Sequence, residues 1–259
     1  MERDVRQLKQ MQEIPLDIKL QLTRDRIREW VRAFGVDGVY VSFSGGKDST
    51  VLLHIAREMY PDIPAVFINT GLEYPEIKEF VKTWDNIEWI RPKMGFKDVI
   101  CKYGYPILSK NISKMFWQAA HGRKGAIEYV NGTATYNGEK SIYCCDRYKA
   151  IEDMDFTISH MCCDVMKKAP ARIYGRKNDR KPIVGILAEE SQIRTRAWLM
   201  HGCNAFESKH QISMPLSFWT EQDILQYVKQ NDIQICKLYG CITERGGNRY
   251  LADLSANIA

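Results

Sequence analysis

Six consecutive residues, Ser44-Gly45-Gly46-Lys47-Asp48-Ser49, concentrate the reactive groups of this chain. They follow the apolar run Val39-Tyr40-Val41-Ser42-Phe43 and precede Val51-Leu52-Leu53-His54-Ile55-Ala56. The first run is rich in β-formers and the second suits a helix, so the order predicts strand, tight loop, helix. Unpaired backbone N–H groups and the positive end of the helix dipole make such a junction a phosphate site. Gly45 and Gly46 allow close backbone approach, and Ser42, Ser44 and Ser49 add hydroxyls. Lys47 neutralises charge, and Asp48 can hold Mg²⁺ against phosphates. The alternative reading is a glycine turn capped by Asp48 or Ser49. A Walker loop is excluded by spacing, because Val41 stands five positions before Gly46 and Asp48 follows Lys47.

A second set of chemically capable residues is the cysteines, at 101, 144, 145, 162, 163, 203, 236 and 241. Cys144-Cys145-Asp146-Arg147-Tyr148-Lys149 and Cys162-Cys163-Asp164-Val165-Met166-Lys167 are near copies, and each reads as a helix start. A thiol at a helix N-terminus beside lysine is expected to have a lowered pKa, which suits metal ligation or sulfur transfer. Adjacent cysteines are poor disulfide partners, so the pattern favours metal or redox chemistry in a cytoplasmic protein. The alternative is that the pairs are small buried hydrophobes. The five histidines show no metal spacing.

The elements that must position these groups follow from periodicity and punctuation. Residues 1–16 are polar and show no strong period, whereas Ile18, Leu20, Leu22, Ile27, Trp30 and Val31 predict a helix ending near Phe34-Gly35. Ala65-Val66-Phe67-Ile68 reads as a buried strand ending in Asn69-Thr70-Gly71. Pro75 begins a helix running to about Trp84, and Ile87–Ile90 is a third strand. Helices are expected around 97–103 and 112–117, a loop over 122–140, a strand within 183–187, and a helix after the N-cap Thr220. This alternation predicts an α/β fold with a doubly wound parallel sheet and a helical C-terminal part. The expected division is a helical segment 1–35, a main domain 36–242 and a tail 243–259. With 259 residues, 45% hydrophobic and 27% charged, the chain is sized for one sizeable core. No apolar run reaches a membrane span, and the start is unlike a signal peptide. A net charge of +5 suits anionic ligands but is too mild to indicate nucleic-acid binding.

The motif Ser44–Ser49 resembles the PP-loop of ATP pyrophosphatases and phosphoadenosine phosphosulfate (PAPS) reductases. The resemblance implies a Rossmann-like, adenine nucleotide alpha hydrolase-like fold. Its implied cofactors are ATP or a related adenine nucleotide (PAPS or APS) and Mg²⁺. Asn69–Glu76 is similar to the family's Thr-Gly followed by Pro-Glu, which places Thr70 and Gly71 beside the nucleotide. Ile183–Arg194 is similar to its strand followed by Gly-x-Arg-Arg-x-x-Ser-x-x-Arg: Gly185, Ser191 and Arg194 match, while Leu187 and Ala188 replace arginines. Cys162–Pro170 resembles the segment that ligates a 4Fe-4S cluster in adenylylsulfate reductases. A downstream Cys-x-x-Cys completes that cluster; here Cys203 and Cys241 are the expected stand-ins beside Cys162 and Cys163. Met214–Ile224 and Leu238-Tyr239 match the family's Pro-Leu and Leu-Tyr segments. The reductases' terminal Glu-Cys-Gly has no counterpart in Thr243–Ala259. The resemblance therefore implies either sulfonucleotide reduction or adenylation followed by sulfur transfer, with Lys47, Asp48, Cys162 and Cys163 in catalysis. The implied partners are a sulfur-donor protein, a nucleic-acid acceptor and further copies of the chain. The alternative is a nucleotide-binding module whose partner completes the site.

Overall fold

The computed structural model describes residues 3–252. The chain begins with helix α1 (Val5–Glu13), inside the segment expected to be helical although residues 1–16 show no strong period. Its start is fixed by a reciprocal cap, with the Asp4 side chain accepting from the Gln7 N–H and Gln7 reaching back to the Asp4 N–H. Helix α2 (Leu16–Phe34) follows and ends at Gly35, whose φ of 77° is open to glycine at little cost. Strand β1 (Val39–Ser42), helix α3 (Lys47–Met59), strand β2 (Ala65–Ile68), helix α4 (Pro75–Lys82) and strand β3 (Ile87–Ile90) come next, as the sequence predicts.

After α5 (Phe96–Tyr103) and α6 (Lys110–Ala120), the expected loop over 122–140 is instead ordered. It forms helix α7 (Lys124–Asn131) and a hairpin of β4 (Thr135–Tyr136) and β5 (Glu139–Lys140). Two of its four glycines are punctuation: Gly132 caps α7 in the left-handed region, and Gly138 turns the hairpin with Asn137, both at positive φ. The chain ends through α8 (Ala169–Lys177), β6 (Lys181–Val184), α9 (Gln192–His201), α10 (Glu221–Gln230) and a hairpin of β7 (Cys241–Arg245) and β8 (Asn248–Ala252). Of the tail expected from 243 onward, residues 253–259 lie outside the described residues.

The central sheet is wholly parallel, in the order β3-β2-β1-β6, with Val41 opposite both Ala65 and Ile183. Alternate side chains serve opposite faces. Val39, Val41, Phe43, Ala65, Phe67 and Ile183 join one core with residues of α2, α3 and α10. Tyr40 and Val66 pack on the other face against Tyr174 of α8. Both faces are thus covered, as a doubly wound sheet requires. Winding runs outward from β1 to β3 on one side and places β6 on the other, so the direction reverses between β1 and β6. In open parallel sheets that reversal opens a ligand crevice at the carboxyl ends of the strands.

The chain divides into two compact units. The first holds the sheet and comprises residues up to Asn69, Glu73–Ile90 and Ile173 onward; the second comprises Thr70–Leu72 and Arg91–Arg172. The second has its own small core of Phe116, Val130 and Cys145. Among the described residues no helix is long and apolar enough to cross a membrane.

Candidate functional site

The glycine loop lies where β1 gives way to α3, beside the reversal in strand order. Gly45 takes φ 74°, and a Cβ there would fall 2.9 Å from Val81 Cγ2 and 3.0 Å from Ile77 Cγ2 of α4. Both the backbone angle and the contact therefore call for glycine. Gly46 is the N-cap of α3, and its carbonyl accepts from the Thr50 N–H and from the hydroxyls of Thr50 and Ser49, each at 2.9 Å. Because the Thr50 N–H makes the first helical bond, those of Lys47, Asp48 and Ser49 have no helical acceptor. Ser44 and Ser49 tie the loop across its base, with their Oγ atoms 3.0 Å apart and Ser49 Oγ accepting from the Ser44 N–H at 3.2 Å. Ser42 closes β1 immediately before it.

Charge at the loop is arranged around Lys47. Its Nζ lies 3.1 Å from Asp48 Oδ1 and 3.4 Å from Glu221 Oε1. Burial alone would lower the pKa of this amine, but the two carboxylates outweigh burial and raise it. Glu221, the first residue of α10, donates its N–H to Glu189 Oε1 at 2.5 Å. Glu189 belongs to the short 3₁₀ turn Ala188–Glu190 that follows β6. Gly185, just past β6, lies so close to α3 that a Cβ on it would sit 2.9 Å from the Asp48 carbonyl oxygen. The ends of β1 and β6 and the start of α10 thus converge on Lys47 and Asp48. Sequence reasoning missed Glu221 as a neighbour of the loop and Glu189 as its support, because no spacing rule links positions this far apart.

Ser191 and Arg194, matched by the resemblance to anion ligands, are engaged within the chain. Ser191 caps α9 by accepting from the Arg194 N–H, and the Arg194 guanidinium pairs with Glu190 one turn earlier. Thr70 and Gly71 form a turn after β2, with Thr70 Oγ1 accepting from the Leu72 N–H at 3.2 Å and Gly71 at φ 85°. They belong to the second unit.

Cys162 and Cys163 also lie in the second unit, in the first turn of a helix that runs as a π-helix over Asp164–Lys168 and continues as α8. The expected helix start is present, but the expected acidic thiol is not. Burial and the neighbouring Cys163 push the Cys162 thiol up, and Lys110 opposes them without prevailing. Asp164 pairs with both terminal nitrogens of Arg172, at 3.3 and 3.0 Å, a hydrogen-bonded arrangement that lowers its pKa. Cys145 sits in the second unit's core, where burial raises its pKa, so that pair is structural on one side.

The expected 4Fe-4S ligand set of Cys162, Cys163, Cys203 and Cys241 is not assembled. Among the described residues no three His, Cys, Asp or Glu side chains come together in a way that could hold a metal ion. Cys203 is buried in the first unit's core with its Sγ 3.5 Å from Ser217 Oγ, and Cys241 opens an exposed hairpin strand. The residues therefore do not fit that cluster.

Comparison with known proteins finds similarity along most of the chain. Over 96% of its length the chain is 24% identical to a protein named sulfate adenylyltransferase subunit 2 from Shewanella sp. (strain W3-18-1), covering 74% of that protein. Over 79% of its length it is 24% identical to a phosphoadenosine 5'-phosphosulfate reductase of Xylella fastidiosa (strain 9a5c), covering 68% of it. The crystal structure of a PAPS reductase from Candida auris in a phosphate complex aligns over 96% of this chain and 98% of that one, at 13% identity and a TM-score of 0.48. The family model of the phosphoadenosine phosphosulfate reductase domain matches residues 38–94 and 109–245, which include the glycine loop, Gly185 and Glu221. The chain belongs to the phosphoadenosine phosphosulfate reductase domain family.

Proposed function

We propose that this chain binds ATP at the carboxyl ends of β1 and β6 and transfers its adenylyl group to an oxyanion acceptor in sulfur metabolism, releasing pyrophosphate. The observation that carries the reading is the glycine loop, where free N–H groups, the Ser44 and Ser49 hydroxyls and the Lys47 amine meet at one helix N-terminus. These groups hold the triphosphate, and Lys47 offsets the negative charge that grows on the leaving pyrophosphate. Asp48 would hold Mg²⁺. A Mg²⁺ ion that arrives on phosphates needs only one or two protein carboxylates, so the absence of a three-ligand cage among the described residues is compatible with it. When bound, the ion would neutralise negative charge on the phosphates.

Adenylyl transfer is favoured over sulfonucleotide reduction by the cations missing from the segment after β6. Leu187 and Ala188 stand where the reductases' arginines would, and Arg194 is held by Glu190, so that segment offers little to bind a sulfate or 3′-phosphate. The relatives named as a subunit 2 support a partner chain, and with it the reading of a nucleotide-binding subunit completed by that partner. The test is pyrophosphate release from ATP with Mg²⁺ and sulfate, measured with the chain alone and with a candidate partner subunit. Sulfate-dependent release that is lost in Asp48→Asn supports the proposal. No release in either setting, together with sulfite formation from a sulfonucleotide and a thiol reductant, replaces it by reduction.

A further inference from the structure

One more hydroxyl reaches the glycine loop, from the turn that follows α10. Tyr239 ends the 3₁₀ turn Lys237–Tyr239 and is held by its backbone: its N–H donates to the Cys236 carbonyl at 2.9 Å, and the Gly240 N–H to the Lys237 carbonyl at 3.0 Å. Cys236 before the turn is fully buried, Gly240 after it takes φ 66°, and α4 packs against it. The phenol is thereby aimed at Gly46. A Cβ built on Gly46 would lie 3.2 Å from Tyr239 Oη and 3.2 Å from Ser44 Oγ, so the space above Gly46 is flanked by two hydroxyls. Ser44 Oγ already accepts from the Gly46 N–H at 3.3 Å. Tyr239 is half-buried, and among the described residues its hydroxyl has no hydrogen-bond partner. A phenol hydroxyl that the protein leaves without a partner is a donor available to a ligand, and here it stands beside the N-cap of α3.

We propose that Tyr239 is a binding residue of the phosphate site, donating its O–H to a phosphate oxygen of the bound nucleotide above Gly46. The inference rests on the nucleotide reading of the glycine loop. It adds a donor from outside the loop, which ties the start of the C-terminal hairpin to phosphate occupancy. The position of Oη favours a phosphate over the adenine base, because it faces the loop backbone where the N–H donors of α3 emerge.

Tyr239→Phe removes the oxygen and keeps the ring that packs the turn. Calorimetric titration with Mg²⁺-ATP and, separately, with inorganic pyrophosphate should show both weakened about tenfold, the usual scale for losing one hydrogen bond to a charged acceptor. The urea midpoint should stay unchanged. Equal affinities for both ligands in the variant and the natural chain would overturn this inference while leaving the nucleotide site standing. Weakened ATP binding with unchanged pyrophosphate binding would move Tyr239 to the adenosine and also overturn it. A natural chain that binds neither ligand would overturn the nucleotide reading itself, and this inference with it.

Discussion

Gly185→Ala would place one methyl group against the backbone that carries the phosphate loop. From ideal geometry the new Cβ lies 2.9 Å from the Asp48 carbonyl oxygen, 3.0 Å from its carbonyl carbon and 3.1 Å from the Ser49 nitrogen. Carbon contacts are most favourable at about 3.5–4.0 Å, so all three are too close. None belongs to a side chain that can rotate aside. Gly185 is not at positive φ, so alanine brings no dihedral penalty and the whole effect is the clash. Overpacking of this kind costs about 1–3 kcal/mol, and the upper half of that range applies because only backbone can yield. If α3 yields, its first turn shifts away from β6 and the donors of Lys47–Ser49 lose their aim. The variant should therefore unfold at lower urea concentration and bind Mg²⁺-ATP more weakly. Gly125→Ala is the control: it lies in α7 with nothing within 4 Å of the new Cβ and should stabilise by up to about 1 kcal/mol. A Gly185→Ala chain with unchanged midpoint and unchanged affinity would refute the claim that β6 presses on the loop.

Lys19 is 1% exposed, with its Nζ 2.6 Å from Asp223 Oδ2 and 2.7 Å from the Gln12 carbonyl, in the wall of a cavity of about 640 Å³ between the first two helices and α10. Lys19→Met should cost about 3–5 kcal/mol by leaving Asp223 buried and unpaired, and Lys19→Met with Asp223→Asn should recover part of that loss in urea unfolding. Cys145→Ser should destabilise by roughly 1–3 kcal/mol, because it puts a hydroxyl into the core of Phe116 and Val130, with no loss of nucleotide binding. Because the folded Lys47 pKa is raised, its contribution to stability is complete below the ordinary lysine value of about 10.4 and is lost as pH rises through the higher folded value. The stability difference between the natural chain and Lys47→Met should therefore be flat between about pH 7 and about pH 10 and shrink above that.

The part of the fold nearest the site was the most legible in the sequence. From Leu16 to Ile90 the expected elements all appear, because elements of four to nineteen residues with clear apolar patterns are separated there by glycine, proline and asparagine that act as breakers. Helix α1 lies in the segment expected to be helical but shows no strong period because its apolar residues are few; the Asp4 and Gln7 capping pair was its clearer signal. The 122–140 segment misled because its glycines suggested a loop, while Asn137-Gly138 is the hairpin signature. At the site, the glycine loop was readable because its donors are contiguous. The carboxylates were not, since Glu221 meets Lys47, and Glu189 meets the Glu221 N–H, only through the packing of β6 and α10. The Glu190–Arg194 pair was available from i,i+4 spacing and shows why a matched arginine need not face a ligand. The cysteine quartet failed for a related reason: matching residue types did not guarantee convergence, and the core took Cys203 as a small apolar side chain.

The central claim is that the Ser44–Ser49 loop holds the phosphates of an adenine nucleotide. Calorimetric titration of Mg²⁺-ATP into the natural chain and into Lys47→Ala tests it most directly. Lys47 supplies the loop's cation, and a charge-assisted contact is worth about 1.5–3 kcal/mol, so the variant should bind at least tenfold more weakly while keeping its fold by circular dichroism. Equal affinity in the two chains, or no binding by the natural one, would contradict the account.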